Sequence, residues 1–297
     1  MELPAPKENI HPLLKKYGRN EDIIVKIKDL QGEVLEVNIN TGDTVEMLIE
    51  DISSAISINK EQIKLIYRGL ELQNEDSLEK YGVIQNCEIH MLKRLKKPII
   101  LFYNYKPGEN ISVKIKLDNI WRFDKVYPKP KSLDSSNLNW EMIFKGNNSL
   151  RDPNTNKSYP YLFWEANIID NTYVNSKLLD NYFCCDSNVI EDFLDDILIQ
   201  KGLNSLERFD LITFWLPELK SKKFVKFNFL DSEVYDKMSV MEIQPKPKQL
   251  IRLILIFISV NNFETSNISL KDIKKIDRHL DEETVVEWGG INLLHIK

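Results

Sequence analysis

Between Ile23 and Asn40 apolar side chains fall on every second position. Val25 and Ile27 alternate with Lys26 and Lys28; beyond the turn-forming stretch DLQGE, Leu35, Val37 and Ile39 alternate with Glu36, Asn38 and Asn40. A period of two puts one set on a buried face and the other in water, so the pattern predicts two strands and excludes a helix. Gly32 suits the positive φ of a bulged hairpin loop. Thr44 then offers a side-chain oxygen to a free N–H at a helix start, and Val45, Leu48 and Ile52 recur on one face of that helix. After Ile58 come a strand with Ile63 and Leu65, a turn at Gly69 and a last apolar position at Leu72. Leu78 and Tyr81 mark a short turn, and EIHML closes the set with Ile89 and Met91 toward the core. The expected order is ββαββ, a compact sheet wrapped over one helix in about 70 residues.

These residues carry a family resemblance. Ile23 to about Leu95 resembles ubiquitin and can be laid against it without a gap. The similarity rests on Gly32, the helix start at Asp43–Thr44, the strand LIYRG with Gly69, SLEKYGV around Tyr81, and IHML followed by KRL. It implies a ubiquitin-like β-grasp fold. It also implies a recognition surface, since the leucine, isoleucine, histidine and valine of ubiquitin's apolar patch correspond here to Leu30, Ile66, His90 and Leu92. Exposed aliphatics on a small sheet favour a covering partner, and a receptor that buries such residues centrally gains most of its binding energy there. Two readings stand: a receptor of the ubiquitin system (proteasome, segregase or ubiquitin-binding module) covers the patch, or the second half of the chain does. The departures matter as much. Lys97 and Pro98 stand where ubiquitin ends in its diglycine tail, and the chain continues. Of the lysines ubiquitin uses for chain building, only Lys28 has a lysine counterpart; Glu33, Ile49, Asp51, Ala55, Leu70 and Gln85 occupy the others. The resemblance therefore implies a built-in domain that is not conjugated to other proteins.

At 297 residues the chain has room for two domains. The expected organisation is a flexible leader over 1–22, the ubiquitin-like domain over 23–96 and a larger domain over 98–297. KRLKKP reads as a wet linker broken by Pro98. Beyond it Ile111, Val113, Ile115 and Leu117 alternate with polar residues, as do Val225, Phe227 and Phe229, while LIRLILIFISV is apolar on both faces, as in a central strand. A helix is expected after Asn188 as cap, with Val189, Ile190, Phe193, Leu194, Ile197 and Leu198 as its inward stripe and Gly202 as its stop. A weaker helical stretch runs from Leu270 to Ile276. The polar stretches 128–137 and 146–158 read as loops. The expected class is α+β: a β-grasp plus a mostly antiparallel, sandwich-like domain with one or two helices. The motifs YPYLFWEA, FDLITFWLPEL, QPKPKQLIRLILIF and VVEWGG also resemble an uncharacterised domain family, which implies one coherent domain over most of Pro98 to Asn292 and no mechanism.

Composition narrows the functions. A net charge of −5 disfavours nucleic acid as a general partner. Three cysteines make no disulfide framework and suit a reducing compartment, cytoplasmic or nuclear. Leu250–Val260 contains Arg252 and is half the length of a membrane span. No P-loop, GxGxxG or GxSxG is present, no cofactor is expected, and four unpaired histidines argue against a zinc site. Three chemical candidates remain. Glu165 and Glu287 each end an aromatic run, where a carboxylate beside tryptophan can serve as a general acid, and two of them can form a hydrolase pair. Cys184 or Cys185 with His279 or His295 would make a thiol enzyme such as a deubiquitinase, although beside Asp186 no cation lowers a thiol pKa. Phe163, Trp164, Phe214, Trp215 and Trp288 either line a groove or fill the core. Gly289–Gly290 reads as a turn after a strand rather than a processing diglycine. The balance of these readings is a non-enzymatic adaptor, with a hydrolase as the alternative.

Overall fold

The computed structural model describes residues 21–28, 34–56, 60, 63–168 and 181–293. The chain divides into two compact units, residues 1–92 with 295–297 and residues 93–294. The expected leader, 1–22, lies outside the described residues apart from Glu21 and Asp22. No described helix is long and apolar enough to cross a membrane.

In the first unit β1 (Asp22–Lys28) pairs antiparallel with β2 (Val34–Asn40) in the expected hairpin, Val25 opposite Val37. Thr44 caps α1 (Val45–Ile56), its Oγ1 accepting the Met47 N–H at 3.3 Å. Val45, Leu48, Ile49, Ile52 and Ile56 form its buried stripe. Two short strands follow, β3 (Lys64–Tyr67) and β4 (Leu70–Glu71), then a 3-10 turn over Leu78–Tyr81. β5 (Glu88–Tyr103) enters between β1, to which it is parallel, and β3, to which it is antiparallel. The order is ββαβββ, the ββαββ that the alternation predicted plus the two-residue β4, with Val25, Ile27, Leu65, Ile89 and Met91 buried.

The division between the units falls inside β5, between Leu92 and Lys93. KRLKKP is therefore no wet linker. Its backbone is strand, with Lys93 opposite Ile168, Arg94 opposite Asn167 and Lys96 opposite Gly290. Pro98 marks a β-bulge instead of a break. Between Ile99 and Leu95, β5 carries one residue more than β12 (Leu162–Ile168) carries between Phe163 and Ala166. Lys97 takes the left-handed φ of +52° that the extra residue requires, and Pro98, which has no N–H to donate, fits where the ladder is already interrupted.

The second unit stacks a helical layer on one sheet and a second sheet on the other side. Its mixed sheet runs β13 (Phe183–Asp186), β14 (Phe224–Phe229), β16 (Gln249–Val260), β17 (Thr284–Asn292), β5, β12, β7 (Trp121–Tyr127). All neighbours are antiparallel except β16 and β17. The other sheet is antiparallel: β11 (Ser158–Tyr159), β10 (Ser149–Arg151), β9 (Asn137–Gly146), β6 (Asn110–Leu117), β15 (Ser239–Gln244), with β8 (Ser132–Leu133) beside β9. The two polar stretches read as loops thus hold β8, β10 and β11.

β16 shows why its sequence is apolar on both faces. Ile254, Ile256 and Ile258 enter the core between the sheets with Trp121, Trp140 and Trp164. Leu253, Leu255 and Phe257 enter the core under the helices. Those helices are α2 (Ile190–Gln200) and α3 (Ser205–Leu219); α4 (Ser232–Met238) adds Tyr235 and Met238 to the inter-sheet core. Among the described residues of this unit three helices stand where periodicity exposed one and suggested a weaker second. Asp186, whose side chain accepts the Asn188 N–H at 2.9 Å, caps a 3-10 turn over Ser187–Val189 that leads into α2, and Val189 holds the helix's own cap position without a side-chain bond, so Asn188 is not the cap. The expected helix Leu270–Ile276 is only a 3-10 turn over Leu270–Asp272. Past it the chain is extended, and Ile276 N–H donates to the Gln200 carbonyl at 2.9 Å.

α3 hid in the sequence because Leu206 and Phe209 are exposed, at 62% and 65%, which blurs its apolar stripe. Its start was legible as Asn204-x-x-Glu207, a capping box with both bonds made, at 3.0 and 2.7 Å. Asn204→Ala is expected to lower stability by about 1 kcal/mol, read as a drop in urea midpoint at unchanged slope. An unchanged midpoint would show that α3 does not depend on this cap.

Candidate functional site

Two groups of residues invite a functional reading, one in each unit. In the first, β3 and β5 place Ile66 opposite His90 and Lys64 opposite Leu92. Leu65, Ile89 and Met91 point into the core, so by strand alternation Ile66 and His90 share the outer face. Ile66 is half-buried and His90 exposed. The backbone register puts Leu92 two residues beyond His90; its side chain, and all of Leu30, lie outside the described residues. Leu70, at the start of β4, is a further exposed aliphatic of this unit, at 62%, but its register opposite buried Tyr67 sets it apart from the Ile66–His90 face. Its signal was available, because an aliphatic stands where the family has a lysine.

In the second unit Glu165 and Glu287 do not form a pair. Glu287 on β17 is fully buried. Its Oε2 accepts the Arg252 Nε–H at 2.7 Å and its Oε1 the Trp164 Nε1–H at 3.0 Å. The same guanidinium donates to Asp236 Oδ1 at 2.6 Å and to the Ser239 carbonyl at 2.7 Å, and lies 4.2 Å from the centre of the Tyr235 ring. Glu287 raises the Arg252 pKa against the burial that opposes it, and the Tyr235 hydroxyl is pushed well up, first by burial and then by Glu287. Both oxygens of Glu287 are thus taken by buried donors, and the side chain serves the core as the partner of Arg252.

Glu165 serves the bulge. It follows Trp164, whose ring is in the inter-sheet core, and alternation turns it to the opposite face with Phe163. There its Oε1 accepts the Lys97 backbone N–H at 3.4 Å and its Oε2 lies 3.2 Å from Lys125 Nζ. The N–H released by the extra residue in β5 thus finds an acceptor. Lys97 itself is half-buried, its ammonium 4.5 Å from the ring centre of Phe214 and 5.4 Å from that of Trp288, and burial lowers its pKa. With the two carboxylates on opposite faces of one sheet, no single sugar or ester can lie between them.

The thiol arrangement is also absent among the described residues. Cys184 is buried, and the Cys185 thiol is pushed up to about 12, first by burial and then by Cys184 and Asp186. Such a thiol is protonated at neutral pH and is a poor nucleophile. His279 is exposed and its backbone N–H donates to Gln249 Oε1; His295 lies outside the described residues. The aromatic candidates split between the two cores, with Trp164 between the sheets and Trp215 and Trp288 under the helices, all fully buried. They are core and form no groove. Gly289 and Gly290 are neither turn nor tail. Both lie inside β17, where a Cβ would sit 2.9 Å from Pro98 N or 2.7 Å from the Trp215 indole.

Comparison with known proteins bears on the first group. The model of the ubiquitin family matches residues 23–96. Ubiquitin-like protein 1 of Schizosaccharomyces pombe is 26% identical over 74 residues, 25% of this chain and 95% of that protein. Ubiquitin-like protein 4A-B of Salmo salar is 29% identical over 72 residues, 24% of this chain and 48% of that protein, so the chain spans about half of the salmon protein's length. The matched segment contains the β-grasp strands, the helix and the Ile66–His90 face, and residues 23–96 are a ubiquitin-like domain.

Proposed function

We propose that this chain is a non-enzymatic adaptor of the ubiquitin system. Its ubiquitin-like domain docks onto a receptor, such as a proteasome subunit, a segregase or a ubiquitin-binding module, through Ile66 and His90 together with Leu30 and Leu92. The second unit binds a further partner or ligand. The observation that carries this reading is the cross-strand pair Ile66–His90 on the outer face of the sheet, with Ile66 only half-buried. The reading as a fixed, unconjugated domain is supported by Lys97 and Pro98. They occupy the diglycine positions yet belong to β5, Lys97 as its bulge residue and Pro98 buried against Gly289. Such a function operates in the cytoplasm or nucleus, where ubiquitin receptors are found.

Titration of the full chain against a ubiquitin-binding module tests the docking. Ile66→Ala is expected to weaken binding by about thirtyfold, the effect of losing a central apolar anchor of roughly 2 kcal/mol. Circular dichroism should be unchanged, because Ile66 is not a core residue. Equal affinity of variant and parent would remove the patch from the account.

A further inference from the structure

Lys201 and Lys274 face a cleft of about 460 Å3 in the second unit, within the roughly 300–1,000 Å3 of small-molecule sites. The cleft opens where the mixed sheet loses a strand. β14 makes a final backbone bond to β16, from Leu230 N–H to the Ile254 carbonyl at 2.8 Å, and the chain then turns into α4. Arg252 and Leu253 of β16 are left lining the gap, with Phe229 and Ile273 as half-buried apolar walls.

The lysines of this cleft stand apart from its carboxylates. Lys201, half-buried at the end of α2, has its ammonium 5.9 Å from the ring centre of Phe229 and no ion pair among the described residues. Burial lowers its pKa, and the neighbouring charge that lowers it further is Lys274, itself without an ion pair among the described residues. Asp231 and Asp272 also line the walls, but each is turned to its own backbone and makes no ion pair with either lysine among the described residues. Asp231 Oδ1 accepts the N–H groups of Glu233 and Val234 at 3.1 and 3.2 Å. Asp272 Oδ2 accepts both the N–H and the hydroxyl of Ser269 at 2.8 Å. The Arg252 guanidinium is taken up by Glu287, Asp236 and Ser239. Two like charges in a half-closed cleft repel each other at reduced dielectric, and an anion between them turns that repulsion into two attractions.

We propose that this cleft binds a small soluble organic anion, with a phosphate or carboxylate head held between Lys201 and Lys274 and an apolar body against Phe229 and Ile273. The site is independent of the ubiquitin-like face. Phenyl phosphate is the probe, with phenol as its uncharged counterpart, added to the full chain at constant ionic strength. At a concentration about tenfold above its dissociation constant, phenyl phosphate should raise the melting temperature of the second unit by about 3–6 °C. Phenol should leave it unmoved, and Lys201→Gln combined with Lys274→Gln should abolish the rise. Lys274→Glu, a change at an exposed position, should abolish it as well, because it supplies Lys201 with a carboxylate. No rise with phenyl phosphate at 20 mM, an equal rise with phenol, or an undiminished rise in either variant would overturn the proposal.

Discussion

Replacing Glu287 with alanine is expected to lower the stability of the second unit by about 3–5 kcal/mol, the loss typical of breaking one half of a buried ion pair. The carboxylate is fully buried, and the Arg252 side chain it neutralises is only 4% exposed. Without it, the guanidinium keeps Asp236, whose side chain is 58% exposed and a weaker counter-charge in water. Trp164 Nε1, which donates to Glu287 Oε1, is left without its acceptor in the inter-sheet core. The double variant Arg252→Met with Glu287→Leu separates charge from shape, because it removes both ions and keeps the volume. It is expected to recover at least half of the loss, leaving mainly the orphaned Trp164 N–H. Urea denaturation of the parent, the single variant and the double variant decides the matter. A single variant within about 1 kcal/mol of the parent would mean that the pair contributes little to the stability of the second unit. So would a double variant no more stable than Glu287→Ala.

The same residues show what the sequence could and could not express. Period-two alternation located β1, β2, β6 and β14 and the fully apolar β16, because burial on one or both faces writes itself directly into residue type. It also set the outer face of the first unit, since Ile66 is one residue away from buried Leu65 and Tyr67. Long-range compensation leaves no such trace. Glu287 reads as an acid at the end of an aromatic run until Arg252 of the neighbouring strand is placed beside it. Glu165 reads the same way until the bulge at Lys97 supplies an N–H. The charges and proline of KRLKKP are the usual signs of a linker, and only the pairing of β5 on both edges shows that they mark a bulge. α3 was lost for the reverse reason: its exposed Leu206 and Phe209 obscure the helical period, so the capping box at Asn204 was the better guide.

Gly290→Ala is the second large effect, and its sign is opposite to what strand propensity gives. A glycine inside a strand costs about 0.5–1 kcal/mol relative to alanine, so at an open position this change would stabilise β17. Here the added Cβ lands 2.7 Å from two carbons of the Trp215 indole and 2.9 Å from its nitrogen. The ring has little room to yield. It is fully buried, with Phe214 at 5.0 Å and Phe257 at 5.2 Å between ring centres, both edge-on. Overpacking of this kind costs about 1–3 kcal/mol, and a rigid helix-borne ring pressed against a central strand puts the expectation at ~3 kcal/mol. Trp215→Leu gives the alanine space, and Trp215 Nε1 has no hydrogen-bond partner to lose. In the double variant the two losses should therefore fall short of additivity by more than 1 kcal/mol. Chemical denaturation of the two single variants and the double variant measures that coupling. Strict additivity, or a Gly290→Ala protein as stable as the parent, would show that α3 does not press on β17 through Trp215.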